Sequence, residues 1–332
     1  MREIANMSRE RREELFLTTS RKIGLPEAMV EKDFWVSWTL DYLFHVSPWK
    51  DQFAFKGGTS LSKCFGLIKR FSEDIDLILD WRVIGCGKDE PWEQRSKNQQ
   101  DKYNKAVNAR TEVFLSETFV PQMEEELSAV LNDAFGFSVD HDDPQTVCFD
   151  YPRLFSEGAI LPTIRLEIGA LAAWTPTQDA TVTSFAAEQF PQVFQQPSTT
   201  ILTVSPERTF WEKATILHKE AFRENGKIPP RYSRHYYDIW CMVQSPVCET
   251  ALRDVNLLQR VAAFKDRFYP TGSAHYELAK PGTLRLVPPA DCIPALRDDY
   301  EHMKRMIFGT KPEFDIILNT INELEKAINE LK

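Results

Sequence analysis

Long apolar runs are missing from this chain. None of its segments approaches the roughly 18 consecutive apolar residues that a membrane-spanning helix needs. The charged start MREIANMSRERREELF has no apolar stretch behind it, so neither a secretory signal nor a membrane partner is expected and the cytoplasm is the default compartment. Cysteine is sparse and scattered, with six residues at positions 64, 86, 148, 241, 248 and 292 in no CxxC or His-paired spacing. That excludes a zinc-ribbon or disulfide framework and leaves buried or incidental thiols. Positive charge is in deficit, 40 Lys and Arg against 49 Asp and Glu, for a net charge of −9. A general nucleic-acid coat protein is therefore excluded, because its affinity comes from clustered cations, whereas a local basic cleft is not. There is no internal repeat and no low-complexity tract.

What is present is the material of a folded protein. With 332 residues, 42% hydrophobic, eight Trp and 22 Phe, the chain can bury a core and is long enough for two domains. Residues 8–45 read as helices, one of them entered through Leu25 and Pro26, with Met29, Phe34, Trp38, Leu40 and Leu43 on an apolar surface. Phe53 to Lys56 fits a buried strand, Gly57 and Gly58 break it, and a helix is expected to resume through Leu61, Cys64 and Ile68. Ile75 to Asp80 fits a second strand, and residues 86–110 a polar loop leading into a solvated helix that continues past a kink near Pro121. Runs at 146–151, 159–170 and 199–205 read as strands, and 174–198 as loop. From Pro206 the pattern is helical, ending in a seam of Phe314, Ile317, Ile321, Leu324, Ile328 and Leu331 that is expected to pack on the chain's own helices. A boundary near residue 205 follows.

Asp74 and Asp76 stand two apart on a presumed strand, so their carboxylates share a face. Such a pair is either solvent-exposed decoration or half of a metal site, and the apolar Ile75, Leu77, Ile78 and Leu79 around it argue against exposure. The strand, Gly57-Gly58 turn and helix opening at Thr59 and Ser60 form a place where a phosphate can approach backbone N–H groups and hydroxyls. An ordinary capped connection is the plainer alternative. A two-ion phosphoryl-transfer site needs a third acid, and Glu167, set in an apolar β run, is the best candidate, with an ion pair to Arg165 as the rival reading.

KGGTSL followed by RFSEDIDL resembles the nucleotidyltransferase superfamily to which DNA polymerase beta belongs. More narrowly, it resembles the AbiEii/AbiGii-type toxin family, which includes the MenT toxins, and the likeness extends to EKDFW at 31–35, ERTFWEK at 207–213 and SRHYYD at 233–238. The stretch from Gly58 to Asp74 is longer than the general superfamily pattern and suits this subfamily. The resemblance implies an α+β fold: a polymerase-beta-like mixed sheet with flanking helices over 1–204, plus a C-terminal helical domain over 205–332 that completes the cleft. It places Asp74, Asp76 and Glu167 on two Mg²⁺ ions. It also assigns Gly57, Gly58, Thr59, Ser60, Ser72 and Lys213 to the nucleotide, and makes Asp238 an essential aspartate. It implies an NTP substrate, an RNA acceptor with tRNA 3′ ends foremost, and a cognate antitoxin that need not bind directly.

The helical half agrees on its own residues. Between Arg208 and Arg234 seven basic residues face three acids, a local excess in an acidic chain that could line a triphosphate or RNA cleft, or simply be a solvated helix face. Asp238 reads also as a partner of Arg234, four residues earlier, in an orienting role. His218 and His235 read as structural or solvent-facing. Two rivals remain, a small-molecule nucleotidyltransferase within the enzymes and, from a different class, a non-catalytic nucleotide- or RNA-binding protein.

Overall fold

The computed structural model describes residues 1–158, 160–224 and 226–331. By internal contacts the chain divides into two units, Met1–Cys64 with Ser72–Thr203, and Phe65–Phe71 with Val204–Lys332.

The first unit is built on a seven-stranded mixed sheet: β1 Phe53–Lys56, β2 Ile75–Leu79, β3 Gly136–Val139, β4 Thr146–Asp150, β5 Ile164–Gly169, β6 Thr177–Thr183 and β7 Ser198–Val204. Its order is β3-β4-β5-β2-β1-β7-β6. The central β2 runs antiparallel to β1 and parallel to β5. Around the sheet are α1 Arg2–Ala5, α2 Arg9–Ile23, α3 Glu27–His45, α4 Gly57–Lys63, α5 Lys97–Phe114, α6 Val120–Ser128 and α7 Phe185–Gln189. Alternation along β5 buries Ile164, Leu166 and Ile168 and turns Arg165 and Glu167 to the other face. The buried face packs on aromatic residues: Phe149 of β4 lies 6.4 Å from Trp35 and from Trp38 of α3, and Phe119 lies 6.1 Å from Phe53. Each such side chain contributes about 1.5–3 kcal/mol by leaving water.

Several elements differ from the sequence expectations. The helix after the glycine turn stops at Lys63 instead of running through Ile68, because Gly66 turns the chain with φ +61°. α5 opens on a capping box, Ser96 with Gln99, and passes into a π turn at Leu115–Phe119 just before Pro121. Proline lacks the N–H that an unbroken α-helix would use there, and the chain absorbs the defect in the wider turn. The helix that continues past Pro121 ends at Ser128, and β3 follows. The stretch 174–198, expected as loop, contains β6 and α7. Of the run expected at 159–170, Ala159 lies outside the described residues and the strand occupies Ile164–Gly169.

The second unit holds α8 Pro206–Glu220, α9 Ser233–Val243, α10 Pro246–Arg253, α11 Val255–Phe268, α12 Ile293–Met303 and α13 Phe314–Asn329. The seam of α13 is buried at Phe314, Ile317, Ile321, Leu324 and Ile328, and Phe314 meets the rings of Tyr236 and Tyr300 within the same unit.

Candidate active site

The acids lie in one row across the sheet. Register pairs Lys56 of β1 with Asp76 of β2, Asp76 with Glu167 of β5, and Glu167 with Thr146 of β4. Directly opposed residues of neighbouring strands point to the same face, so Lys56, Asp76, Glu167 and Thr146 form a polar stripe on the face turned from the aromatic core. Asp74 lies just before β2 and continues its alternation, half-buried like Asp76 between the buried Glu73 and Ile75. Arg165, the rival partner proposed for Glu167, makes an ion pair with Asp140.

The glycine turn is fitted to Asp76. Gly57 has φ +82°, and a Cβ placed on it would stand 1.9 Å from Asp76 Oδ2 and 2.5 Å from its Cγ. Only glycine satisfies both the left-handed backbone and the space taken by the carboxylate. Gly58 follows in the first turn of α4, whose N-terminus has no side-chain cap. Thr59 and Ser60 are buried and their hydroxyls serve the turn itself. Ser60 Oγ donates to the Gly57 carbonyl at 2.8 Å, and Thr59 Oγ1 donates to the Asp74 carbonyl while lying 2.9 Å from Ser72 Oγ. These bonds lock the turn to the segment that carries the acids.

In the second unit, Asp238 of α9 is fully buried and receives two cations. Arg70 clamps it with Nε to Oδ1 at 2.7 Å and Nη2 to Oδ2 at 2.8 Å, and Lys213 Nζ of α8 reaches Oδ2 at 2.7 Å. The orienting role read for Asp238 thus falls on Arg70 and Lys213, not on Arg234. Burial alone would raise the Asp238 pKa, but Arg70 and Lys213 more than offset it and hold the carboxyl well below its ordinary range. Lys213 is lowered by burial, against the pull of Asp238. Burial, with Lys213 and Arg234 nearby, drives His235 well below its usual value, so it is neutral. His218 is structural: it accepts from the Arg285 N–H at 3.0 Å on Nδ1, which leaves Nε2 to donate to the His275 carbonyl at 3.0 Å.

A family model described as nucleotidyl transferase AbiEii toxin, type IV TA system, matches residues 40–320. The chain belongs to this AbiEii family. Among solved structures it is similar to MenT4, a nucleotidyltransferase toxin from Mycobacterium tuberculosis H37Rv, at 16% identity, TM-score 0.51, and coverage of 96% of this chain and 90% of that one. At that identity the likeness carries the fold. No curated protein sequence matches the chain. As an AbiEii-family member it is a nucleotidyltransferase of the type IV toxin class.

Nucleotidyltransferases usually work with a divalent ion, and the donors offered here are hard carboxylate oxygens, a type that suits Mg²⁺. Asp74 Oδ1 is buried with no hydrogen-bond partner, an orphan of the kind a cation would satisfy. Among the described residues no three His, Cys, Asp or Glu side chains already converge as a metal cage. Asp74 and Asp76 are the residues that could hold the ion, with Glu167 one strand away.

Sequence reasoning missed the supports of this candidate site. Lys56 stands beside Asp76 in the register, a place that its position immediately before Gly57 could have signalled. In EKDFW three successive buried charges each tie a different segment to α3. Glu31 accepts the N–H groups of Leu154 and Phe155 at 2.7 and 3.0 Å, Lys32 donates to Glu73 at 2.6 Å, and Asp33 accepts from Lys63 at 2.6 Å and from the Phe185 N–H at 2.7 Å. Glu73 precedes Asp74 and Lys63 closes α4, so both halves of the glycine-acid motif are braced on one helix. The signal was three adjacent charges in an otherwise apolar helix, which burial makes costly unless each is paired.

Proposed function

We propose that this protein transfers a nucleoside monophosphate from an NTP to an RNA acceptor, tRNA 3′ ends being the foremost candidate, and so acts as the toxin of an AbiE-like pair. The acceptor hydroxyl attacks the α-phosphorus, the bond to the β-phosphate oxygen breaks, pyrophosphate leaves and the hydroxyl proton is lost. Two Mg²⁺ ions, when bound, would activate that hydroxyl and neutralise charge on the leaving pyrophosphate. Asp74 and Asp76 supply the ligand oxygens, and Glu167 completes the acidic set. Gly57 leaves room for the Asp76 carboxylate, while the backbone N–H groups that open α4 at Gly57 and Gly58 take a phosphate. Thr59, Ser60 and Ser72 hold the turn in shape for it. In the second unit, Lys213 binds a phosphate of the nucleotide, with Asp238 as its buried counter-charge.

The observation that carries this reading is the Asp76 carboxylate seated on the Gly57 backbone, in register with Glu167. The test is incubation of the pure protein with each radiolabelled NTP, Mg²⁺, and either tRNA or a panel of small hydroxyl compounds, with Asp76→Ala alongside. Label on tRNA that needs Mg²⁺ and Asp76 is expected. Label on the small compounds alone would move the acceptor assignment, and full transfer by Asp76→Ala would refute the site.

A further inference from the structure

Arg70 has no role in the reading above, yet it makes the best-formed contact to Asp238. Its two bonds take both carboxylate oxygens in a planar fork, a geometry that guanidinium supplies and ammonium does not. Lys213 is left with Oδ2 alone. An ammonium carries three donors, so among the described residues two of those on Lys213 are unspent although the side chain is buried. Arg70 and Lys213 meet on the same carboxylate, and Arg234 lies near enough to lower Lys213 further, so the Lys213 ammonium sits among cations, a setting that an anion relieves.

Arg70 is itself held. Its backbone forms a β-bridge with Ile307, the Phe71 N–H donates to the Met306 carbonyl at 2.7 Å, and the Phe308 N–H donates to the Lys69 carbonyl at 3.0 Å. The guanidinium therefore starts from a fixed backbone and fixes Asp238, and Asp238 in turn fixes one of the three donors of Lys213.

We propose that Arg70 is a positioning residue, which aims the Lys213 ammonium at a nucleotide phosphate by clamping Asp238. The inference rests on the reading that Lys213 binds that phosphate. Its test is a double-mutant cycle of Arg70→Lys and Lys213→Ala, read as transfer with the ribonucleoside triphosphate, of the four, that the wild type uses. Arg70→Lys keeps the charge but loses the fork, and should lower kcat/KM about 10- to 100-fold, chiefly by raising KM for the triphosphate while KM for tRNA stays put. In the Lys213→Ala background the same change should cost less than about twofold, because residues acting as one unit are not additive. Losses that multiply, or an Arg70→Lys enzyme with wild-type KM for the triphosphate, would overturn the inference. Wild-type transfer by Lys213→Ala would instead overturn the assignment of Lys213. Thermal melts confirm that each variant is folded at the assay temperature. Should Arg70→Lys not fold, Asp238→Asn replaces it in the same cycle, with the same expected non-additivity and the same refuting result.

Discussion

Replacing Gly57 with Ala separates the space that Asp76 needs from the backbone conformation that the turn needs. The added methyl would stand 1.9 Å from Asp76 Oδ2, so the carboxylate must withdraw by about 1.5 Å before ordinary contact is restored. Misplacing a reacting group by about 1 Å can lower the rate about 100-fold, and a loss of that order is expected in nucleotidyl transfer. The φ of +82° adds a strain of about 1–2 kcal/mol for a residue with a Cβ, which shows as a lowered melting temperature. Gly24, which ends α2 with φ +71° and open space around its Cβ position, is the control. Gly24→Ala meets the same backbone strain with no carboxylate to displace, so it should melt earlier and transfer normally. The assay is label transfer beside thermal melting for both variants. If Gly57→Ala transfers at the wild-type rate, or if the two variants lose activity equally, the Asp76 carboxylate is not the group that the glycine protects.

Three further outcomes follow from buried charges. Asp238 is depressed below its ordinary 3.8, so its contribution to stability is present above that pH and is lost as the pH falls through and below it. Asp238→Asn should flatten the acid side of the stability curve while destabilising the protein at pH 7 by about 3–5 kcal/mol, because Arg70 and Lys213 lose their counter-charge; denaturant melts across pH check both. Burial pushes Glu31 up to about 7 despite its two N–H donors. Its contribution is therefore full below 4.5 and is lost as pH rises through about 7, with a slope near 1.4 kcal/mol per pH unit that Glu31→Gln should remove. Lys32→Met removes the cation that faces Glu73 and should cost about 3–5 kcal/mol in chemical denaturation, part of it recovered by adding Glu73→Leu, since an apolar pair can replace a buried ion pair with little loss.

The residues that were legible in the sequence are those whose placement is decided locally. Phe53 to Lys56 and Ile75 to Leu79 are short apolar runs bounded by a glycine turn and an acid, and each strand begins where its pattern does. β3 and β6 were not legible because they are the two edges of the sheet, where one side needs no partner and the apolar alternation weakens; β6 reads TQDATVT. The partner of Asp238 was sought four residues away on its own helix, and the clamp comes from Arg70, 168 residues earlier. Nothing in the spacing of RHYYDIW points there, since a contact across such a separation is set by how the unit packs. The membership of residues 65–71 in the second unit was hidden for the same reason.

The two clusters call for ligands of opposite sign. On the polar face of the sheet Asp76 and Glu167 stand in register with each other and with Lys56, while Arg165 is committed to Asp140. In the helical unit Arg70 and Lys213 meet on Asp238, and Arg234 lies near enough to lower Lys213 further. Like charges gathered in a partly buried place raise the free energy of the native state unless a counter-ion relieves them. A divalent cation answers the first cluster and an anion such as a triphosphate the second. Mg²⁺ alone and an NTP alone should therefore each raise the melting temperature, the first shift being lost in Asp76→Ala and the second in Lys213→Ala.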